Sequence, residues 1–123
     1  MEKIFTQNAP AAIGPYSQAV CVGDLVFTSG QIAINPKTNN VDAATIQEQT
    51  EQVCINIENL LKAANSSIEN VVKTTCFLAD MNDFAAFNEV YAKHFVSKPA
   101  RSCVAVKTLP KNVLVEIDTI ATR

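Results

Sequence analysis

Arginine is scarce in this chain. Of ten basic side chains only Arg101 and the terminal Arg123 are guanidinium groups, and Arg101 stands among apolar neighbours in Ala100-Arg101-Ser102-Cys103-Val104-Ala105-Val106. A guanidinium so placed needs an anion to balance it, from the protein or from a ligand. Its planar fork matches a carboxylate, so Arg101 reads either as a carboxylate anchor or as a strand-end arginine whose tip reaches water. Glu116 is the second candidate. Alternation along Val113-Leu114-Val115-Glu116-Ile117-Asp118-Thr119-Ile120 puts Glu116 and Asp118 on one face with Leu114 and Ile120. That carboxylate is either solvated or able to orient and activate water.

Cys103, two residues beyond Arg101, points to the same side of its strand. A nucleophilic role for it needs a base nearby. The single histidine, His94, falls near the end of a helical pattern, where a solvated side chain is expected. With one histidine and no compact cluster of cysteines or carboxylates, no metal site is expected. Toward the N-terminus, Ile13-Gly14-Pro15-Tyr16-Ser17-Gln18 makes a rigid turn that presents Tyr16, and Thr28-Ser29-Gly30-Gln31 ends a strand with small polar residues. Each is turn chemistry or the rim of a ligand site.

These residues need elements to position them. Gln18 to Val22 and Leu25 to Gln31 are β-rich runs around Gly23-Asp24, a two-residue hairpin signal, and Pro36 with Asn39-Asn40 makes a second turn. From Thr45 the period changes. Ile46, Val53, Ile57, Leu60, Leu61 and Ala64 recur at helical steps, Thr45 and Glu48 form a capping box, and Asn65 suits a left-handed cap. Val71 to Leu78 returns to strand. A shorter helix follows an Asn82 or Asp83 start, with Phe84, Phe87, Tyr91 and Phe95 on one face, and Pro99 closes it. Two more strands, Arg101 to Val106 and Val113 to Ala121, are joined by the turn Leu109-Pro110-Lys111-Asn112. That order predicts one α+β domain over residues 1–123, its helices covering one face of a single sheet. Several strands are apolar on both faces, so the other face is expected to pack on further subunits.

Composition narrows the function. A formal charge of −2 and a pI near 5.3 give no general attraction to nucleic acid or anionic lipid. Lys98, Arg101, Lys107 and Lys111 are too sparse for an RNA groove, and three scattered glycines cannot build a phosphate or dinucleotide loop, so no nucleotide cofactor is implied. Cys21, Cys54, Cys76 and Cys103 lie far apart among apolar residues and read as reduced, mostly buried thiols. No leader-like or membrane-spanning run is seen, and a soluble cytoplasmic protein is expected.

Several segments together resemble the Rid family, also known as YjgF and UK114. They are Ile13-Gly14-Pro15-Tyr16-Ser17-Gln18-Ala19, Phe27-Thr28-Ser29-Gly30-Gln31, Phe87-Asn88-Glu89-Val90-Tyr91, and the run from Pro99-Ala100-Arg101-Ser102-Cys103-Val104 through Leu109-Pro110 to Val115-Glu116-Ile117. The resemblance spans essentially the whole chain. It implies a chorismate-mutase-like fold, a homotrimer with its sheets toward the centre, and active sites in clefts between subunits. The implied activity is that of a 2-iminobutanoate/2-iminopropanoate deaminase. Such an enzyme hydrolyses 2-imino acids, formed from the enamines that pyridoxal-phosphate dehydratases release, to 2-keto acids and ammonia without metal or cofactor. On this resemblance Arg101 holds the substrate carboxylate and Glu116 the water. Tyr16, Ser29, Gly30, Asn88 and Cys103 surround the ligand, with Cys103 a contact and not a covalent nucleophile. Relatives described as ribonucleases that inhibit translation offer one rival reading, and a non-catalytic module that binds 2-keto acids as signals offers another. Asn39 and Asn65 depart from the family, standing where glycine is common; asparagine is the next residue to tolerate left-handed backbone.

Overall fold

Thr45 opens the longest element of the computed structural model, which describes residues 1–123. Its hydroxyl accepts the Glu48 N–H at 3.1 Å while the Glu48 carboxylate accepts the Thr45 N–H at 3.2 Å, so helix α1, Ile46–Ala63, starts on a capping box. Asn65 ends it at φ 59°, in the left-handed conformation expected of a C-terminal cap. Val53, Ile57, Leu60 and Leu61 are fully buried beneath it. Two amides on the same buried face tie loops to the helix. Gln49 accepts from the Leu114 N–H at 2.8 Å, and Asn56 donates to the carbonyls of Ile32 and Ile34. Helix α2, Phe84–His94, buries Phe87 and Tyr91, and the Tyr91 ring stacks on Phe95 at 4.4 Å.

Both helices cover one face of a six-stranded mixed sheet. Its strands are β1 (Glu2–Ile4), β2 (Ala19–Val22), β3 (Leu25–Thr28), β4 (Val71–Leu78), β5 (Ala100–Ala105) and β6 (Val115–Thr122), laid out as β1-β2-β3-β6-β4-β5. Gly23 makes the β2–β3 hairpin at φ 57°, as its sequence signals. Between parallel β4 and β5 the chain crosses over through α2, the connection that parallel neighbours require.

The C-terminal strands, joined by a turn in the sequence, are not neighbours. β6 enters the middle of the sheet, antiparallel to β3 on one side and β4 on the other, and leaves β5 at the edge. Left-handed residues at Lys111 and Asn112, with a single 3-10 turn, redirect the chain. The N-terminal strand β1 also has no counterpart in the sequence pattern.

Strand alternation separates the sheet's faces. In β4, Thr74, Cys76 and Leu78 are fully buried under the helices while Lys73, Thr75 and Phe77 point the other way. The register extends the open face to Val20, Phe27 and Ile120 beside Lys73, and to Glu116 and Val104 beside Phe77. This face carries no secondary structure of its own chain.

Candidate active site

Arg101 stands on the edge strand opposite Thr74, on the helix-covered side. Asn88 of α2 accepts a hydrogen bond from the guanidinium at 2.7 Å. The guanidinium carbon lies 4.8 Å from the Tyr91 ring centre and 5.4 Å from that of Phe84, an aromatic floor that suits a weakly hydrated planar cation. Tyr91 is fixed in turn by a 2.8 Å hydrogen bond with Thr74, and burial pushes its phenol up, so it stays neutral. The cleft above holds about 550 Å³ and is walled by Asn88, Tyr91, Ala92, Phe95, Val96, Lys98, Pro99 and Arg101. No acidic side chain lines it. The guanidinium's remaining N–H groups have no partner in the chain, and no carboxylate pairs with it. An anion arriving with two oxygens finds a rigid fork.

Glu116 belongs to the other face. Its neighbours Val115 and Ile117 are fully buried against the helices, so alternation turns Glu116 outward, beside Phe77. A smaller cleft of about 130 Å³ surrounds it, walled by Tyr16, Gly30, Gln31, Ile32 and Pro110 among others. Gly30 lies against the Glu116 side chain: a Cβ at that position would be 2.9 Å from the carboxyl carbon and would turn the carboxylate aside. Burial first, and the charge of Asp118 second, hold the Glu116 carboxyl above the usual carboxylate range. A carboxylate so destabilised gains basicity, as a group that must take a proton from water requires.

The candidate residues thus fall into two groups that share no cleft. Arg101 and Asn88 form one, and Tyr16, Gly30 and Glu116 the other. Ser29 lies beside the second, its hydroxyl committed to the Ser17 carbonyl at 2.6 Å. Cys103, half-buried, sits on the Arg101 side opposite Cys76; burial raises its thiol and the guanidinium only partly offsets this, so it stays protonated. His94 is not the solvated residue expected. It is paired with Glu51 of α1 at 2.8 Å, which joins the two helices, and it lines neither cleft. No three His, Cys, Asp or Glu side chains converge to hold a metal ion, and all four cysteines are free.

Sequence reasoning missed Phe84 and Tyr91 as the floor beneath Arg101, and Lys98 as part of its cleft. A signal existed for the first two. They share with Asn88 the spacing i, i+4, i+7, one face of α2, and an aromatic face beside an asparagine is where a planar cation can rest.

A helix-backed mixed sheet with an arginine fork at its edge defines the class, and comparison with known proteins gives the family. The endoribonuclease L-PSP family matches residues 6–123. A RutC family protein of Pyrococcus horikoshii is 54% identical over 121 residues, covering 98% of this chain and 96% of its own. The 2-iminobutanoate/2-iminopropanoate deaminase of Escherichia coli K12 is 48% identical over 124 residues, covering 98% and 96%. Among solved structures, E. coli TdcF with bound serine superposes with a TM-score of 0.94 at 45% identity, covering 100% of this chain and 99% of that one. The chain belongs to the endoribonuclease L-PSP family, the Rid or YjgF family that its motifs resemble. The family's members carry differing functional names, so membership alone does not choose among activities.

Proposed function

We propose that the protein is a cytoplasmic 2-imino acid deaminase working as a homotrimer, with each site shared by two subunits. The observation that carries this reading is Arg101 itself, held by Asn88 on an aromatic floor, with its free donors turned to a cleft that contains no acid. Such a fork binds the carboxylate of a 2-imino acid and fixes the imine carbon for attack. Glu116 takes a proton from water as the oxygen bonds to that carbon, giving a carbinolamine. It gives that proton to the amino group, and as the C–N bond breaks the carbinolamine hydroxyl gives its own proton to Glu116; the products are ketone and ammonia, which leaves as ammonium by taking the proton from Glu116. Because a protonated imine is already electrophilic, binding and one placed water suffice.

Arg101 and Glu116 lie on opposite faces of one chain's sheet, so the reaction requires them from different copies. The open face supports assembly. Phe27, Phe77 and Ile120 are only half-buried there, and Val22 and Val104 remain 53% and 47% exposed. Such a surface is a liability in water unless another subunit covers it.

The test is the lifetime of 2-iminopropanoate, generated in situ by an amino-acid oxidase and trapped with semicarbazide. Wild type is expected to accelerate its loss and Arg101→Ala is not. Ligand binding through Arg101 with no acceleration on any imino acid would replace the enzyme by a sensor of 2-keto acids. RNA cleavage with salt-dependent binding would replace it by a nuclease.

A further inference from the structure

The cleft that holds Arg101 contains a second cation that the deaminase reading does not use. Lys98 lines the same wall, no acidic side chain lines any part of it, and Lys98 makes no ion pair in the chain. Its backbone is also unusual. Lys98 has φ 53°, a left-handed conformation that glycine or asparagine adopts more readily, and it directly precedes Pro99, where extended backbone is favoured. Surrounding contacts hold the strain: the Lys98 N–H donates to the Phe95 carbonyl at 3.1 Å, and the Ser97 hydroxyl to the Val71 carbonyl at 3.1 Å. Strained non-glycine residues cluster at ligand sites, where the fold fixes a side chain in place.

Arg101 and Lys98 have no acidic partner in their own chain; in the shared site Glu116 of another copy meets the reacting carbon, and the two cations select a ligand with two acidic groups. Resting on the deaminase reading, we infer that this protein prefers 2-imino dicarboxylates. Arg101 takes the carboxylate next to the imine, and Lys98 the distal one. The supplying reactions are then oxidations of acidic amino acids at the α-carbon, which release an imine with its side-chain acid intact.

The test compares 2-iminosuccinate and 2-iminoglutarate with 2-iminopropanoate in the semicarbazide assay, using wild type, Lys98→Gly and Lys98→Arg. Lys98→Gly removes the charge at a backbone position glycine favours, so folding is retained. The dicarboxylate-to-monocarboxylate ratio of kcat/KM is expected to fall about two- to fivefold in Lys98→Gly and to survive in Lys98→Arg, the size of one exposed ion pair. An unchanged ratio in Lys98→Gly overturns the inference. Calorimetric titration with 2-oxoglutarate and 2-oxobutanoate separates the two readings. A dicarboxylate preference that Lys98→Gly abolishes upholds the assignment even if no imine is turned over, and equal binding of both acids by wild type rejects it.

Discussion

The two faces of the sheet are built differently. Under the helices, 23 buried residues form one apolar cluster, and Arg101 at its margin is fixed by side chains of α2. Across the sheet, Glu116 is placed by backbone: a glycine that makes room, a proline, and a strand register that turns it outward. One face is covered by the chain's own helices, whereas the other leaves apolar strands and a raised carboxylate uncovered. On the proposed function, stability and ligand anchoring belong to the first face, assembly and proton transfer to the second.

Mutations can break that division, beginning with the largest effect. Arg101→Ala is expected to lower kcat/KM for imine hydrolysis about a thousandfold through loss of the bidentate anchor and of substrate alignment. Its mass by light scattering should equal that of wild type; a smaller mass would place Arg101 in assembly instead. Leu60→Ala, beneath α1, should cost about 3 kcal/mol in denaturant unfolding. Ile120→Asp on the open face should instead reduce the particle to single chains with an unchanged circular dichroism spectrum. If Ile120→Asp unfolds the chain, the open face is part of its own core.

Glu116→Gln is expected to lower kcat about a hundredfold with little change in KM, since it removes the proton acceptor and keeps the shape. The pH profile gives the smallest effect. In the proposed mechanism Glu116 works ionised; burial and Asp118 raise its pKa, so activity should fall on the acid side of neutrality at a pH above the ordinary carboxylate range. Asp118→Asn removes a like charge, eases ionisation of Glu116, and should move that acid limb to lower pH. A limb that stays put would assign the proton transfer to another group.

Much of this was legible in the residues. The capping box, the α1 stripe and the Asn65 cap are local signals, and the structure repeats them. Local signals say nothing of which strands pair, so the insertion of β6 between β3 and β4 was invisible, and the three residues of β1 are too few to show a period. Arg101 stood out by its rarity in an apolar run. Asn88 entered only through the family resemblance, as a ligand contact, so its hydrogen bond to Arg101 was not foreseen, and the aromatic floor was read only as helix core. Lys98 was hidden because a left-handed lysine before proline runs against the rule for that position, so no sequence pattern points to it.

The opposed placement of Arg101 and Glu116 carries over into genetics. In the proposed assembly each site draws one of these residues from each of two copies, so a fault in one residue and a fault in the other injure different halves. Subunits carrying Arg101→Ala, co-folded with an equal amount carrying Glu116→Gln, would restore both groups at roughly one site in four by random association. Two alleles that are each inactive alone would then sustain activity together in the same cell.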